Sequence, residues 1–324
     1  MKQIAAALVV WICMFQSQAI ADVPSDPISW LGRIASAGQR LNYTGTFIYQ
    51  SGPVLETSRI THLADASGEH ERLEVLDGSP REVTRSNAEV RCVLPDQRMV
   101  IVDRSGGQRG FPVWLPATYA SVAENYRVSK GEVSRVAGHD TQLLMLEPRD
   151  DLRYGHLLWA EMLSGLLLKA RMVDESNRII EQFAFSDVRI GGDIDPGALK
   201  SRLASDDGWR VLDTRGQDMK IEDSEWMLTS PLPGYALKSI IRRPLGPDRG
   251  DILHLVYSDG LAAISVFVEP TDPERAASTP GTMVMGAINI YKRDVDGHMV
   301  TALGAVPMRA LQLLGDGMEL VVRQ

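Results

Sequence analysis

From Tyr43 onward the apolar residues recur at every second position in short runs closed by turn residues, and that period admits a sheet and little else. Tyr43 to Gln50, Leu55 to Leu63, His70 to Leu76, Arg81 to Arg85, Val90 to Leu94 and Gln97 to Asp103 are each a strand's length. Between them stand Ser51-Gly52-Pro53, Asp65 to Gly68, Asp77-Gly78 and Pro95-Asp96, residues that supply positive φ, a preset φ or a side-chain bond to the backbone. Links this short join antiparallel neighbours. The pattern resumes in Val128 to Val136, Thr141 to Leu146, His156 to Glu161, Leu166 to Val173 and Arg178 to Val188. In Leu166 to Val173, Leu166, Leu168, Ala170 and Met172 share one face while Lys169 and Arg171 share the other, so the sheet has a dry face and a wet one.

Two segments break the period. Trp30 to Leu41 carries Trp30, Leu31, Ile34, Ala37 and Leu41 at helical spacing, and Trp114 to Tyr126 reads as a second helix behind a Gly-rich loop from Arg104 to Pro112. A third shift follows at Asp193 to Gly216, which is polar and rich in Gly and Asp, with a short helix expected over Pro196 to Leu203. Beyond it come strands at Tyr235 to Arg242, Asp251 to Tyr257, Leu261 to Glu269, Met283 to Lys292 and His298 to Leu303, then an amphipathic helix over Val306 to Val322. The expected division is a signal peptide over 1–21, a first domain over 22–205, a linker over 206–222 and a second domain over 223–324.

The leader is read from Lys2, the apolar run Ile4 to Phe15 and the small residues of Ala19-Ile20-Ala21, the pattern of an exported protein. The run is shorter than the ~20 residues needed to span a bilayer. Only Cys92 remains after the leader is removed, so no internal disulfide can form and stability rests on a hydrophobic core. A formal charge of -8 argues against nucleic acid and against general attraction to anionic membranes. It leaves the Arg242-Arg243 pair and the arginines of Arg104 to Arg109 as local basic patches.

Catalytic signatures are missing. The chain has no Gly-x-Ser-x-Gly elbow, His-Glu-x-x-His, Cys-x-x-Cys or P-loop, the spacings that carry nucleophile, zinc and phosphate chemistry. The six histidines are scattered, although His62 and His70 lie on consecutive strands and could face each other. Ser258, Asp259 and His254 form the nearest local set for a hydrolase, but Ser258-Asp259-Gly260 between two apolar runs reads more simply as a hairpin turn. No cofactor or metal site is expected. The dry-face residues Met99, Ile101, Leu166, Leu168, Met172, Phe183 and Phe185 either pack as core against the first helix or line a cavity for an apolar ligand.

Five segments together resemble one family: Tyr43 to Gln50; Arg135-Val136-Ala137-Gly138 leading to Arg153-Tyr154-Gly155 and Leu158-Trp159; Gly165 to Lys169; Leu253 to Leu261 through Ser265 to Glu269; and Gly286 to Tyr291 running to Gly304 to Pro307. In this order they resemble the RseB/MucB family of periplasmic regulators of the envelope-stress sigma factor. Ala305, where an acidic residue is expected, and Ala160 to Ser164 depart from its pattern. The resemblance implies an α+β, mainly antiparallel β fold: an N-terminal LolA/LolB-like half-open barrel with helices in its mouth, and a smaller C-terminal β-rich α+β domain. It implies a periplasmic protein of a Gram-negative cell, not an enzyme, whose partner is the periplasmic domain of a RseA/MucA-like anti-sigma factor. Binding protects that partner from regulated proteolysis, and lipopolysaccharide (through lipid A) or the acyl chains of mislocalised lipoprotein release it. On this reading the seven dry-face residues are the lipid-binding candidates, Arg242 and Arg243 the partner-binding candidates, and the free protein a possible homo-oligomer. The alternative is a lipoprotein or lipid carrier without a signalling partner.

Overall fold

A computed structural model describes residues 24–104, 120–203, 208–244, 250–271 and 279–321. The expected leader, nearly all of the Gly-rich loop and the first part of the Trp114 to Tyr126 helix lie outside the described residues.

Helix α1 (Pro27–Arg40) starts where Asp26 accepts hydrogen bonds from the Ile28 and Ser29 amides, with Pro27 in the first turn, so orphan amides are capped by a carboxylate at the positive end of the helix. Its buried stripe is Trp30, Leu31, Ile34 and Ala37. There follow β1 (Tyr43–Ser51), β2 (Val54–Asp65), β3 (Gly68–Val75), β4 (Glu82–Ser86), β5 (Glu89–Leu94) and β6 (Met99–Arg104). After α2 (Ala120–Asn125) come β7 (Tyr126–Val136), β8 (His139–Pro148), β9 (Gly155–Glu161), β10 (Leu167–Val173), β11 (Ile179–Ile190) and β12 (Arg210–Asp213). These twelve strands form one open sheet in the order β12-β6-β5-β4-β3-β2-β1-β11-β10-β9-β8-β7, antiparallel except where β12 runs parallel to β6. The fold is mainly antiparallel β, as expected, and the sheet is open rather than a closed barrel.

Directly paired residues share a face, so the register traces one continuous inner surface. Leu144, Leu158, Ala170, Phe183 and Tyr49 lie on it, as do Ile60, Leu73, Val83, Cys92 and Ile101. Gly45 is required there: a Cβ would sit 2.8 Å from the Phe185 ring and 2.6 Å from the Asp187 carbonyl. Helix α1 fills one half, where Trp30, Leu31 and Ile34 pack with Phe47, Ile60, Leu158, Leu166, Leu168, Phe183 and Phe185. In the other half Leu73, Val83, Cys92, Met99 and Ile101 are only half-buried.

Met99 and Ile101 therefore correct the dry-face expectation in part. They share the inner face, but the buried alternates of β6 are Val100 and Val102 on the outer face. The cause is the chain after β11: Leu203 and Trp209 pack over Val93, Val100 and Val102, and the Arg202 amide donates to buried Glu82. Cys92 is half-buried.

The second sheet is built from β13 (Gln217–Asp218), β15 (Ala236–Pro244), β16 (Asp251–Ser258), β17 (Ala263–Pro270), β18 (Gly281–Met285), β19 (Ile288–Val295) and β20 (His298–Gly304), in the order β13-β15-β16-β17-β20-β19-β18. Helix α3 (Met308–Asp316) buries Ala310, Leu311 and Leu314 in this sheet's core. A separate pair joins β14 (Trp226–Leu228) to β21 (Met318–Leu320).

Three expected elements change here. The terminal helix stops at Asp316, because Met318 and Leu320 alternate as a strand beside β14. The single strand expected over Met283 to Lys292 is a hairpin, turned at Gly286 with φ +60°. Pro196 to Leu203 forms only a 3-10 turn over Pro196–Leu199. The segment 206–222 is strand-bonded at both ends, through β12 to the first sheet and through β13 to the second.

The filled and open halves should respond differently to truncation. Leu168→Ala, at a fully buried position, is expected to cost about 2–5 kcal/mol in denaturant unfolding. Ile101→Ala, at a half-buried one, should cost under about 1.5 kcal/mol.

Candidate functional site

The loop between β8 and β9 carries the contact that joins the two sheets. Arg153 enters the second sheet's territory and donates from Nε to Asp259 Oδ2 at 2.9 Å, with 1% and 0% of the two side chains exposed. Asp259 sits in the turn between β16 and β17, where its Oδ1 accepts from the Leu261 amide at 2.8 Å and the Ala262 amide at 2.7 Å. The Tyr126 hydroxyl donates to Oδ2 at 3.1 Å, and burial together with the Asp259 charge pushes that phenol well above its ordinary range. Arg153 also donates to the Pro233 carbonyl at 2.9 Å and to Asp150, and its guanidinium lies 5.0 Å from the Tyr235 ring centre. The Tyr235 hydroxyl in turn donates to the Leu152 carbonyl at 3.1 Å, while Leu152 packs in the second core. Every charge in this clasp has several partners, the condition under which a buried ion pair is tolerated.

Smaller ties also join the two sheets. Asn289 donates to the Tyr154 hydroxyl at 3.1 Å, the Ala287 amide donates to Ser51 Oγ at 2.8 Å, and Arg243 donates to Asp103 of β6 at 2.8 and 3.0 Å. Arg243 also donates to the Thr214 carbonyl and to His254. This partner-binding candidate is thus engaged within its own chain, whereas Arg242 is exposed.

Two clefts open beside the clasp. One, of ≈ 480 Å³, is lined by His156, Ala170, Met172 and Phe183 of the first sheet and by Leu261, Ala262, Ile288 and Leu303 of the second, with Arg171 and Glu181 as its charged groups. The other, of ≈ 610 Å³, lies among the 145–157 strand ends and loop, the 173–178 turn, Asn289, Pro307 and Met308. His156 borders both. It packs edge-on to Tyr126 with ring centres 6.0 Å apart, and burial lowers its pKa from 6.5 to about 4. Burial also raises Glu181 above the usual carboxylate range.

Of the seven lipid-binding candidates, the structure brings Met172 and Phe183 to this cleft. Leu166, Leu168 and Phe185 are sealed under α1, and Met99 and Ile101 lie on the open half of the inner face. Sequence reading missed Arg153, Tyr126 and Asp259 as a unit, although Arg153-Tyr154-Gly155 and Ser258-Asp259-Gly260 both lie in the segments that carry the family resemblance. It also missed a polar cluster on the inner face. His62 bonds the Leu41 carbonyl and Glu69, and Arg85 bonds Glu69 and Glu71. Burial works to raise Glu69, but its bonds to His62 and Arg85 hold it at about 2. His62 and His70 do not face each other: His62 is opposite Glu71 and His70 opposite Leu63.

The hydrolase set is not assembled. Ser258 Oγ donates to the Ala262 carbonyl within its own turn, and His254 stacks on Phe267 and bonds Ser265. Among the described residues no group of three or more His, Cys, Asp or Glu side chains is placed to hold a metal, and no helix is long and apolar enough to cross a membrane.

Two measurements test this description. Arg153→Met leaves Asp259 charged and buried, so it should cost about 3–5 kcal/mol, and Asp259→Leu a similar amount; the double variant should lose clearly less than the sum. For His156, the folded pKa of about 4 lies below the ordinary 6.5, so the neutral ring's contribution is complete above pH 6.5 and is lost as pH falls toward 4. Over that window the protein should lose about 3 kcal/mol more stability than His156→Gln.

Comparison with known proteins agrees with this architecture. The family model for the MucB/RseB N-terminal domain matches residues 26–203, and that for the MucB/RseB C-terminal domain matches residues 220–319. The sigma factor AlgU regulatory protein MucB of Pseudomonas aeruginosa is 31% identical over 299 residues, covering 88% of each chain. The sigma-E factor regulatory protein RseB of Escherichia coli strain K12 is 24% identical over 323 residues, covering 98% of each. Among solved structures, MucB in complex with MucA(peri) superposes with a TM-score of 0.69 at 27% identity, over 92% of this chain and 100% of that one. MucB alone gives 0.68 at 25% identity, over 92% and 98%. Two contiguous domain matches, with the clasp residues Arg153 and Asp259 falling one in each, leave one assignment: the chain belongs to the MucB/RseB family.

Proposed function

We propose that this protein is an exported periplasmic regulator without enzymatic activity. It binds the periplasmic domain of a membrane anti-sigma factor and shields it from regulated proteolysis. Lipopolysaccharide or mislocalised lipoprotein, entering along the inner face of the first sheet, releases it. The first domain carries the lipid task and the second domain, with the cleft between the sheets, carries the partner.

One observation supports this reading above the others. Ala170, Met172 and Phe183 belong both to the apolar inner face and to the lining of the cleft. An acyl chain spreading along that face reaches the boundary between the sheets, next to the Arg153–Asp259 clasp. Ligand and partner then act on the same junction, and the coupling is reciprocal. A complex between MucB and MucA(peri) in a relative of the same architecture supports the choice of partner.

The test is calorimetric titration of the protein with the periplasmic domain of the anti-sigma factor encoded in the same genome, with and without lipid A. A stoichiometric complex is expected, weakened roughly 5- to 150-fold by lipid A, the range of a ~1–3 kcal/mol coupling. Binding that lipid A leaves unchanged would remove the inner face as the sensor. No binding at all, together with transfer of labelled lipoprotein between membranes, would favour a carrier.

A further inference from the structure

Buried polar atoms without a hydrogen-bond partner are rare in folded proteins, and each one asks for a reason. Among the described residues such side-chain atoms fall in two groups, on opposite faces of β1 to β4. On the outer face they are Arg72 Nε, Glu74 Oε2 and Glu82 Oε1. That group holds a donor beside its acceptors, with Arg72 already 2.8 Å from Glu82 and 3.2 Å from Glu74. On the inner face they are the Tyr43 hydroxyl and Arg85 Nε. Both of these are donors, and no acceptor is left over beside them.

The two belong to one row. Tyr43 lies opposite His62, His62 opposite Glu71 and Glu71 opposite Arg85, so four strands set a polar band across the inner face. The Tyr43 ring stacks on His62 with centres 4.8 Å apart, and both are fully buried by the end of α1, where His62 bonds the Leu41 carbonyl at 2.8 Å. At the other end Glu69 and Arg85 reach the surface, with 30% and 11% of their side chains exposed. Burial and the Glu71 charge push the Tyr43 phenol well above its ordinary range, so the hydroxyl keeps its proton. The carboxylates are engaged: Glu69 by His62 and Arg85, Glu71 by Arg85. The next row, about 7 Å along the strands, is apolar. It runs through Ile60, Leu73, Val83, Cys92 and Ile101, the last four only half-buried.

We propose that this band is a subsite for a neutral hydrogen-bond acceptor, the ester or amide carbonyl beside the acyl chain of a lipid lying along the apolar row. The inference rests on the inner face being the lipid surface and adds what that surface reads, the linkage as well as the hydrocarbon. A carbonyl oxygen has two lone pairs, one for the Tyr43 hydroxyl and one for Arg85 Nε. It enters from the Glu69 and Arg85 end, the open end of the band. A phosphate fits less well, because Glu69 and Glu71 set two carboxylates against the one guanidinium and an added anion meets like charge. Donors left dry in the unliganded protein destabilise it, and a bound carbonyl removes that cost.

The test compares two ligands that differ by one carbonyl. The purified protein is titrated with a monoacyl phosphatidylcholine and with its ether analogue of the same chain length, each below its micelle concentration. The ester should bind on the order of 10-fold more tightly, the worth of two modest net hydrogen bonds. Tyr43→Phe, and Arg85→Lys, which keeps the charge and loses the Nε donor, should each cut that preference roughly 3-fold. Tyr43→Phe should also raise the urea midpoint, because a dry donor is gone. Equal binding of ester and ether by the unaltered protein overturns the subsite and leaves the lipid surface standing, whereas binding of neither ends both. An ester preference undiminished in Tyr43→Phe, or a lower urea midpoint for that variant, means that the hydroxyl is satisfied without ligand and overturns the proposal. Displacement of the ester by inorganic phosphate overturns it as well, since the band then takes an anion.

Discussion

The buried ion pair between Arg153 and Asp259 sets the relation between the two sheets. Neither group is in contact with water, so pulling the sheets apart either rehydrates both or strands one of them in a dry interface. A buried pair of this kind adds little to net stability compared with apolar groups of the same shape, yet it punishes the loss of either partner. It therefore penalises any arrangement that separates the two groups without rehydrating both. The Tyr126 hydroxyl and the Leu261 and Ala262 amides complete the hydrogen bonding of Asp259. The clefts on either side of the pair, and the buried neutral His156 that borders both, take their shape from that contact.

The first sheet is divided by α1 into a packed half and a half-covered one. Under Trp30, Leu31 and Ile34 the inner face is a packed core that supplies stability. Across β3 to β6 the same face is only half-covered, while structural packing moves to the opposite side under Leu203 and Trp209. A strand normally has one dry face, so this exchange of faces frees Met99 and Ile101 from the core.

Much of this was legible in the sequence because its signals are local. The period of two, the turn residues and the Asp26-Pro27 helix start all act within a few residues. Local signals also explain the errors. Met283 to Lys292 alternates throughout, and only the positive φ of Gly286 divides it into a hairpin. The apolar spacing of Met318 and Leu320 suits helix or strand until Trp226 and Leu228 are placed beside them. Met99 and Ile101 alternate correctly, but which alternates are dried depends on a segment some hundred positions later. Long-range pairs were the least visible. Arg243 looked like a free basic patch until Asp103 was found opposite it, and Asp259 looked like a turn residue, which it is, with Arg153 as a second partner.

The central claim is that lipid on the inner face is sensed through the clasp. Amide hydrogen exchange during a lipid A titration tests it most directly, read at Leu152, Leu261 and Ala262, whose amides are held by Asp150 and Asp259. The account predicts faster exchange at these three as lipid A binds, with the β1 and β2 amides unchanged. Saturating lipid A with no change at the clasp would contradict it.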